Sequence, residues 1–418
     1  MPDHESAHCV TTSPAIARAG RAVRCRQVFY IPGYDPVPPR RYRELYRKEG
    51  ARQAAVSGHR IEVRAATGGG DGFGWHVAAI VEGQRVETDV RVLVWSDIVR
   101  RSMGRGIAGT YLLLLRTAWI YVASGALIRL MRLRKGPVIA ALYPVGLLLA
   151  QLALALGLSW GAWRGLSALH PLAGPLGLVV LPLVLAWFRR IDGRLFAYYL
   201  MHDYAYSAQA RGANPPELEA RLDDFAEAVA AALTRPEPDE VLVVGHSSGA
   251  HLAVSVLARL IRQGRVPPDG PALGLLTLGQ VVPMVSFLPR AGWLRADLAY
   301  LSACDEVAWV DVTAPGDGCA FALCDPVAVS GVAPPGQRWP LVISAAFRRT
   351  LSPARWRALR WRFFRLHFQY LCAFDQPDDY DYFRITVGPL TLAARYAGRA
   401  PSPSRITRAA SGFRSVTA

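Results

Sequence analysis

Gly245-His246-Ser247-Ser248-Gly249 stands between an uncharged apolar run, Val241 to Val244, and a segment from Ala250 to Ile261. In that segment Leu252, Val256, Leu257 and Leu260 recur at helical spacing. A G-x-S-x-G pattern between a strand and a helix demands a sharp reversal, and glycine at both flanks avoids the collision that a side chain would make with the turn. Ser247 is expected at its apex, where a nucleophile belongs; the plain alternative is an ordinary βα loop. A serine hydroxyl attacks well only when a histidine takes its proton, and that histidine needs a carboxylate to fix its tautomer. Of nine histidines only His246, His251 and His367 lie at or beyond the turn. The first two belong to the turn and its helix, with His251 expected to pack against the sheet, so His367 is the expected base. Asp317, in the loop Thr313-Ala314-Pro315-Gly316-Asp317-Gly318, is the leading acid, with Asp311, Asp325 and Asp305 as rivals.

These residues need a scaffold, and the patterning supplies its elements. Gln27 to Ile31 reads as a short buried strand that ends in Pro32-Gly33-Tyr34-Asp35, followed by a helical stretch from Arg40 to Ala55. Strand candidates follow at Arg60 to Ala65, His76 to Val81 and Val90 to Trp95, with a glycine-rich connection at Gly68 to Gly74 that lacks the ending of a phosphate-binding loop. Later, Leu218 to Leu233 has helical periodicity, and Leu273 to Leu278 and Val307 to Val312 read as strands. Strands alternating with helices imply an α/β fold with a mostly parallel sheet, whose sites form beyond the carboxyl ends of the strands.

With the motif at 245 to 249 and the order Ser247, Asp317, His367, the chain resembles the α/β-hydrolase superfamily over roughly residues 25 to 97 and 215 to 370. The resemblance implies that the Ser248 amide is one oxyanion donor and that the loop Pro32-Gly33-Tyr34 supplies the second, from Gly33 or Tyr34. The His-Gly or HGGG motif of many lipases and esterases is missing from that loop. The resemblance also places the apolar segments in a lid or cap insertion.

Composition sets the surroundings. The chain is 52% hydrophobic, which is high for a soluble protein, and its net charge of +16 comes almost wholly from arginine, since Lys48 and Lys135 are the only lysines. An anionic surface is the expected neighbour. Nucleic acid is not expected, because the basic residues gather beside apolar segments and no nucleic-acid-binding motif is present. Gly136 to Trp163 carries no charge and would make a helix about 40 Å long, more than the roughly 30 Å of bilayer hydrocarbon. Gly165 to Phe188 is uncharged too, with Pro171, Pro175 and Pro182 to kink it. Arginines flank this hairpin on both outer sides, which points both ends to the cytoplasm. A third stretch, Gly106 to Ile128, contains Arg116, which costs about 2.5 to 3.5 kcal/mol at mid-bilayer. Strands of one sheet lie on both sides of the whole region, so crossings must be even in number: this third stretch is an interfacial or re-entrant helix, or one of the other two does not span, and the interfacial reading is preferred.

The expected organisation is a disordered N-terminus at 1–24, sheet segments at 25–97 and 215–392, and a basic flexible tail at 393–418. The membrane insertion covers 98–200, with an interfacial helix at about 106–128 and transmembrane helices at about 137–163 and 168–188. Arg355 to Phe368 interleaves arginine with Trp356, Trp361, Phe363 and Phe364 and reads as a helix at the headgroup boundary. The six cysteines show no metal-ligand spacing and are expected to be reduced thiols. Asp375, Asp378, Asp379 and Asp381 read as a solvated turn, not a calcium loop. No cofactor is expected, no signal peptide is read in the first 25 residues, and the oligomeric state stays open. The expectation is a multi-pass protein of the cell (inner) membrane with its sheet domain in the cytoplasm. It would hydrolyse an ester, thioester or lipid-like substrate, with an acyltransferase or a non-catalytic membrane scaffold as alternatives.

Overall fold

The computed structural model describes residues 22–66 and 72–417. Eight strands form one mixed sheet: β1 Cys25–Ile31, β2 Arg60–Ala65, β3 Phe73–Val81, β4 Gln84–Val92, β5 Glu240–His246, β6 Ala272–Leu278, β7 Val307–Thr313 and β8 Leu341–Ser344. Their order is β2-β3-β4-β1-β5-β6-β7-β8. From β4 to β8 all neighbours are parallel, while β2 and β3 form an antiparallel edge. β8 has no counterpart among the expected strands: it is only four residues long, too short for a repeat pattern to show.

The chain winds from β1 toward β4 and then crosses back to lay β5 on the other flank of β1. That reversal opens a crevice beyond the carboxyl ends of β1 and β5, where a parallel sheet binds its ligands. Register decides what meets there. Ile31 pairs with Gly245, so Gly33 and Ser247, each two residues farther on, come face to face.

Helices cover both faces. On one side α1 (Arg40–Ser57) and the C-terminal segments pack over Val28, Tyr30, Leu276 and Val310. The region between the two halves of the sheet contains α2 (Ile107–Ala123), α3 (Lys135–Leu169), a 3-10 stretch Pro171–Val179 running into α4 (Val180–Arg190), and α5 (Ala197–Ala208). On the opposite face of the sheet α6 (Pro216–Leu233) and α7 (Gly249–Arg262) bury Leu222, Val229, Leu252 and Val256 against Val241 and Val243.

Two helices are long and apolar enough to cross a membrane, Lys135–Leu169 and Pro171–Arg190, with mean hydropathies of 2.1 and 2.0. They form a tight hairpin. A Cβ on Gly177 would collide with the Trp163 backbone, and the Ser159 hydroxyl donates to the Gly177 carbonyl at 2.9 Å. Of the prolines expected to interrupt the second arm, Pro171 and Pro175 lie in its 3-10 stretch and Pro182 in the first turn of α4. α2 meets the helix Ser96–Ser102 at a bend of 101°. Its Leu113 and Leu114 pack toward α5, Leu112, Leu115 and Trp119 stay exposed, and Arg116 donates to the Gln209 carbonyl at 2.9 Å.

Two expectations need correction. Residues 393–418 are not a free tail over 399–417: Ser402 N donates to Val342 O, Ile406 N to Leu323 O and Ala410 N to Val329 O, and the Ser415 carbonyl accepts from the buried Arg295. Buried partners of this kind outweigh the solubility of the arginines. Arg355 to Phe368 is not one helix, because Pro353–Leu359 ends before α8 (Phe363–His367) begins and the chain turns between them. Residues 1–21 of the expected N-terminal segment, and most of the glycine-rich connection, lie outside the described residues, although β2 and β3 on either side of that connection pair antiparallel.

Candidate active site

Ser247 has φ +58°, a left-handed backbone that L side chains rarely adopt and that costs on the order of 1 to 3 kcal/mol. Its surroundings hold it there. The Ser247 amide donates to Leu278 O at 2.9 Å, while a Cβ on Gly245 would lie 2.5 Å from Gly249 O and one on Gly249 would collide with Ile31 O. Both glycines of the motif are therefore required by close backbone approach. Gly33 faces the serine from β1: a Cβ there would lie 3.0 Å from Ser247 Cβ and 3.4 Å from its Oγ. Among the described residues no acceptor engages the Ser248 or Tyr34 amide.

The loop after β1 is fixed from several sides. Trp95 Nε1 donates to Pro32 O at 2.9 Å, Tyr42 OH to Asp35 Oδ2 at 2.7 Å, and Tyr199 OH on α5 to Tyr34 O at 2.5 Å.

His367 and Asp317 meet across 50 residues of chain: His367 Nδ1 lies 2.7 Å from Asp317 Oδ2. The carboxylate is completed by Tyr370 OH, which donates to Oδ2 at 3.0 Å, and by Cys319 N, which donates to Oδ1 at 2.9 Å. Burial works against the Asp317 charge, but the facing imidazole, its hydrogen bond and these two further donors outweigh it and hold the carboxyl below its ordinary range. Every rival acid is occupied elsewhere. Asp311 accepts from Thr277 Oγ1 inside the sheet, Asp325 caps a short helix, and Asp305 pairs with Arg338.

His367 Nε2 is buried and has no partner among the described residues. His367 lines one cavity of about 90 Å³ together with Ser247, Ser248, Gly33 and Tyr34. An Nε2 left open in that cavity is placed to take a proton from a hydroxyl there; in unliganded sites such contacts are often long and close on substrate binding. No family model, no curated protein and no solved structure matches this chain. The chemistry is therefore read from the geometry alone.

Several residues of the site escaped the sequence. His246 braces His367: its Nε2 donates to the His367 carbonyl at 3.0 Å, and burial with the neighbouring His367 lowers its pKa to about 3, so its ring stays neutral. It carries a signal in hindsight, being the variable residue of the motif. Tyr370 stands three residues beyond His367, one turn along the chain. His251 is buried as expected, but it lines the cavity. Asp203, from α5, also lines the cavity and has no sequence pattern to announce it.

Asp317, Cys319 and His367 place one potential metal ligand atom each within 4.8 Å of one another. Two features disfavour a metal centre. The 2.7 Å Asp317–His367 contact already uses Nδ1, and burial with the Asp317 charge pushes the Cys319 thiol well above its ordinary range, away from the thiolate that metals bind. The five described cysteines are free, and Asp375, Asp378 and Asp379 pair with Arg355, Arg349 and Arg399 while Asp381 caps a short helix.

Proposed function

We propose that this protein is a membrane-embedded serine hydrolase of the α/β-hydrolase type that cleaves an ester or thioester of a lipid-like substrate. The observation that carries this reading is the meeting of Ser247, on a strained elbow, with the unpartnered Nε2 of an Asp317-bound His367 in one cavity. His367 Nε2 accepts the Ser247 proton as Oγ attacks the carbonyl carbon. The oxyanion is received by the Ser248 amide and by an amide of Gly33 or Tyr34. His367 returns its proton to the leaving alkoxide or thiolate, and the acyl group remains on Ser247. Water, deprotonated by the same histidine, then attacks the acyl-enzyme and releases the acid. An alcohol in place of that water would make the enzyme an acyltransferase.

The bilayer reading rests on the apolar hairpin and on what adjoins the cavity. Pro137, in the first turn of α3, lines it, and so does Phe364, whose ring lies 5.7 Å from that of the exposed Phe196. Two crossings return the chain to the side it left, as a single sheet built from both flanks requires. An acyl chain would enter along this apolar edge from the membrane.

Fluorophosphonate labelling is the test. Wild-type protein in nanodiscs is expected to be labelled at Ser247, and His367→Ala is expected to abolish the reaction. Absence of an adduct while a control hydrolase reacts leaves the non-catalytic scaffold as the better description.

A further inference from the structure

The cavity at Ser247 has a polar side that hydrolysis of a simple acyl ester leaves unused. α5 presents Asp203, Tyr206 and Ser207 at i, i+3 and i+4, hence on one face. That face closes a second, smaller cavity of about 20 Å³ which shares Asp203, Ser207, Ser248 and His251 with the first. Three groups there lack partners. Tyr206 OH and His251 Nδ1 are buried and make no hydrogen bond, with residue exposures of 7% and 6%. Among the described residues no hydrogen-bond donor or ion-pair partner engages the Asp203 carboxyl, which interacts with His367 through charge alone. Buried polar groups are rarely left unpaired, and two of them lining one space with the half-buried Asp203 carboxyl call for a ligand that both donates and accepts.

Resting on the hydrolase reading, we propose that Asp203, Tyr206 and His251 form a hydroxyl-binding subsite beside Ser247 for the hydroxylated leaving group of an ester. Size favours a hydroxyl, because 20 Å³ holds about one water-sized group and no quaternary ammonium. Charge agrees with it. Burial raises the Asp203 carboxyl to about 7 and lowers His251 to about 4, so near neutral pH the site presents a weakly charged acid and a neutral imidazole. Position assigns the leaving group to this side. Tyr121, Pro137 and Met284 line the first cavity and not the second, and Pro137 belongs to the hairpin, so the acyl chain is assigned there. An amphipathic ester lying across Ser247 would thus set its chain toward the membrane helices and its hydroxyls toward Asp203.

The test compares 1-O-dodecylglycerol with dodecyl methyl ether, two uncleavable ethers that share a chain and differ in hydroxyls, by calorimetric titration of the full chain in nanodiscs. Wild type is expected to prefer the glycerol ether by about tenfold or more. Asp203→Ala should cut that preference to under about threefold. Tyr206→Phe, which keeps the ring and removes only the hydroxyl, should lower it in the same direction should the first variant fold poorly. Equal binding of the two ethers by wild type, or a preference untouched by Tyr206→Phe, overturns the subsite. Binding is read without turnover, so a protein that binds selectively yet resists fluorophosphonate labelling would refute the hydrolase reading and leave the subsite standing.

Discussion

The Tyr199 hydroxyl donates a 2.5 Å hydrogen bond to the Tyr34 carbonyl oxygen. Through it α5, which follows the apolar hairpin, holds the loop after β1 that carries Gly33 against Ser247. The insertion therefore takes part in shaping the site. Tyr199→Phe keeps the ring and removes one of the three side-chain hydrogen bonds that fix the loop, the one at Tyr34 beside Gly33, so turnover should fall roughly tenfold while stability changes by about 1 kcal/mol. Parallel measurement of ester turnover and apparent melting temperature checks this; an activity loss no larger than the loss of folded protein would reduce Tyr199 to a packing residue.

Asp317→Asn should keep the shape of the site and disturb the tautomer of His367, because the new amide can donate where the carboxylate only accepted. Labelling of Ser247 is expected to slow by about 10³- to 10⁴-fold. Tyr370→Phe removes one of the donors to Asp317 and should cost far less, about tenfold. Should the two variants react at similar rates, Asp317 is not the orienting acid.

Gly33 and Gly249 should separate chemistry from folding. A Cβ at Gly249 collides with the Ile31 carbonyl, and Gly249→Ala should destabilise the protein by about 3 kcal/mol or more. At Gly33 the new methyl needs only a few tenths of an ångström, but it takes them from Ser247. Gly33→Ala is expected to remain folded and lose activity by about 10²-fold. The reverse ranking in a denaturation and turnover series would contradict the assignment of Gly33 to the site.

The two buried histidines beside Ser247 should cost stability in acid, over a range where two buried carboxyls act the other way. Burial holds His246 near 3 and His251 near 4, whereas both titrate at about 6.5 in an unfolded chain. The unfolded state then binds more protons, so their contribution is full above about 6.5 and declines as pH falls toward 4. Asp317, lowered in the fold, adds to that loss only below about 4. Asp203, raised to about 7, and Asp311, raised to about 8, both by burial, have the opposite sign: their contribution is full below about 4 and lost as pH rises through 7 to 8. From pH 7 to pH 5 the apparent melting temperature of His251→Gln should rise relative to that of wild type; parallel curves would mean that His251 is charged in the fold.

Features written into short stretches were legible without coordinates. The elbow is one, since two glycines around a serine between a strand and a helix specify a local backbone. The hairpin is another, because an uncharged run longer than a bilayer is a property of composition and length. The chain order of Ser247, Asp317 and His367 followed from the scarcity of late histidines. Long-range contact decided the rest. Four aspartates were plausible acids, and only packing showed that Asp317 reaches His367 while Asp311 turns into the sheet. Asp203 lies in a helix with no motif and gains meaning only where α5 crosses the elbow. The C-terminal arginines read as a solvated tail because charge is visible in sequence, whereas the buried carbonyls and amides that anchor residues 402 to 415 are not. Sequence thus determined the local geometry around Ser247 and the membrane-length hairpin, which depend on neighbours along the chain. Tertiary structure decided which carboxylate meets His367, the polar side of the cavity and the anchoring of the tail, which depend on groups that folding alone brings together.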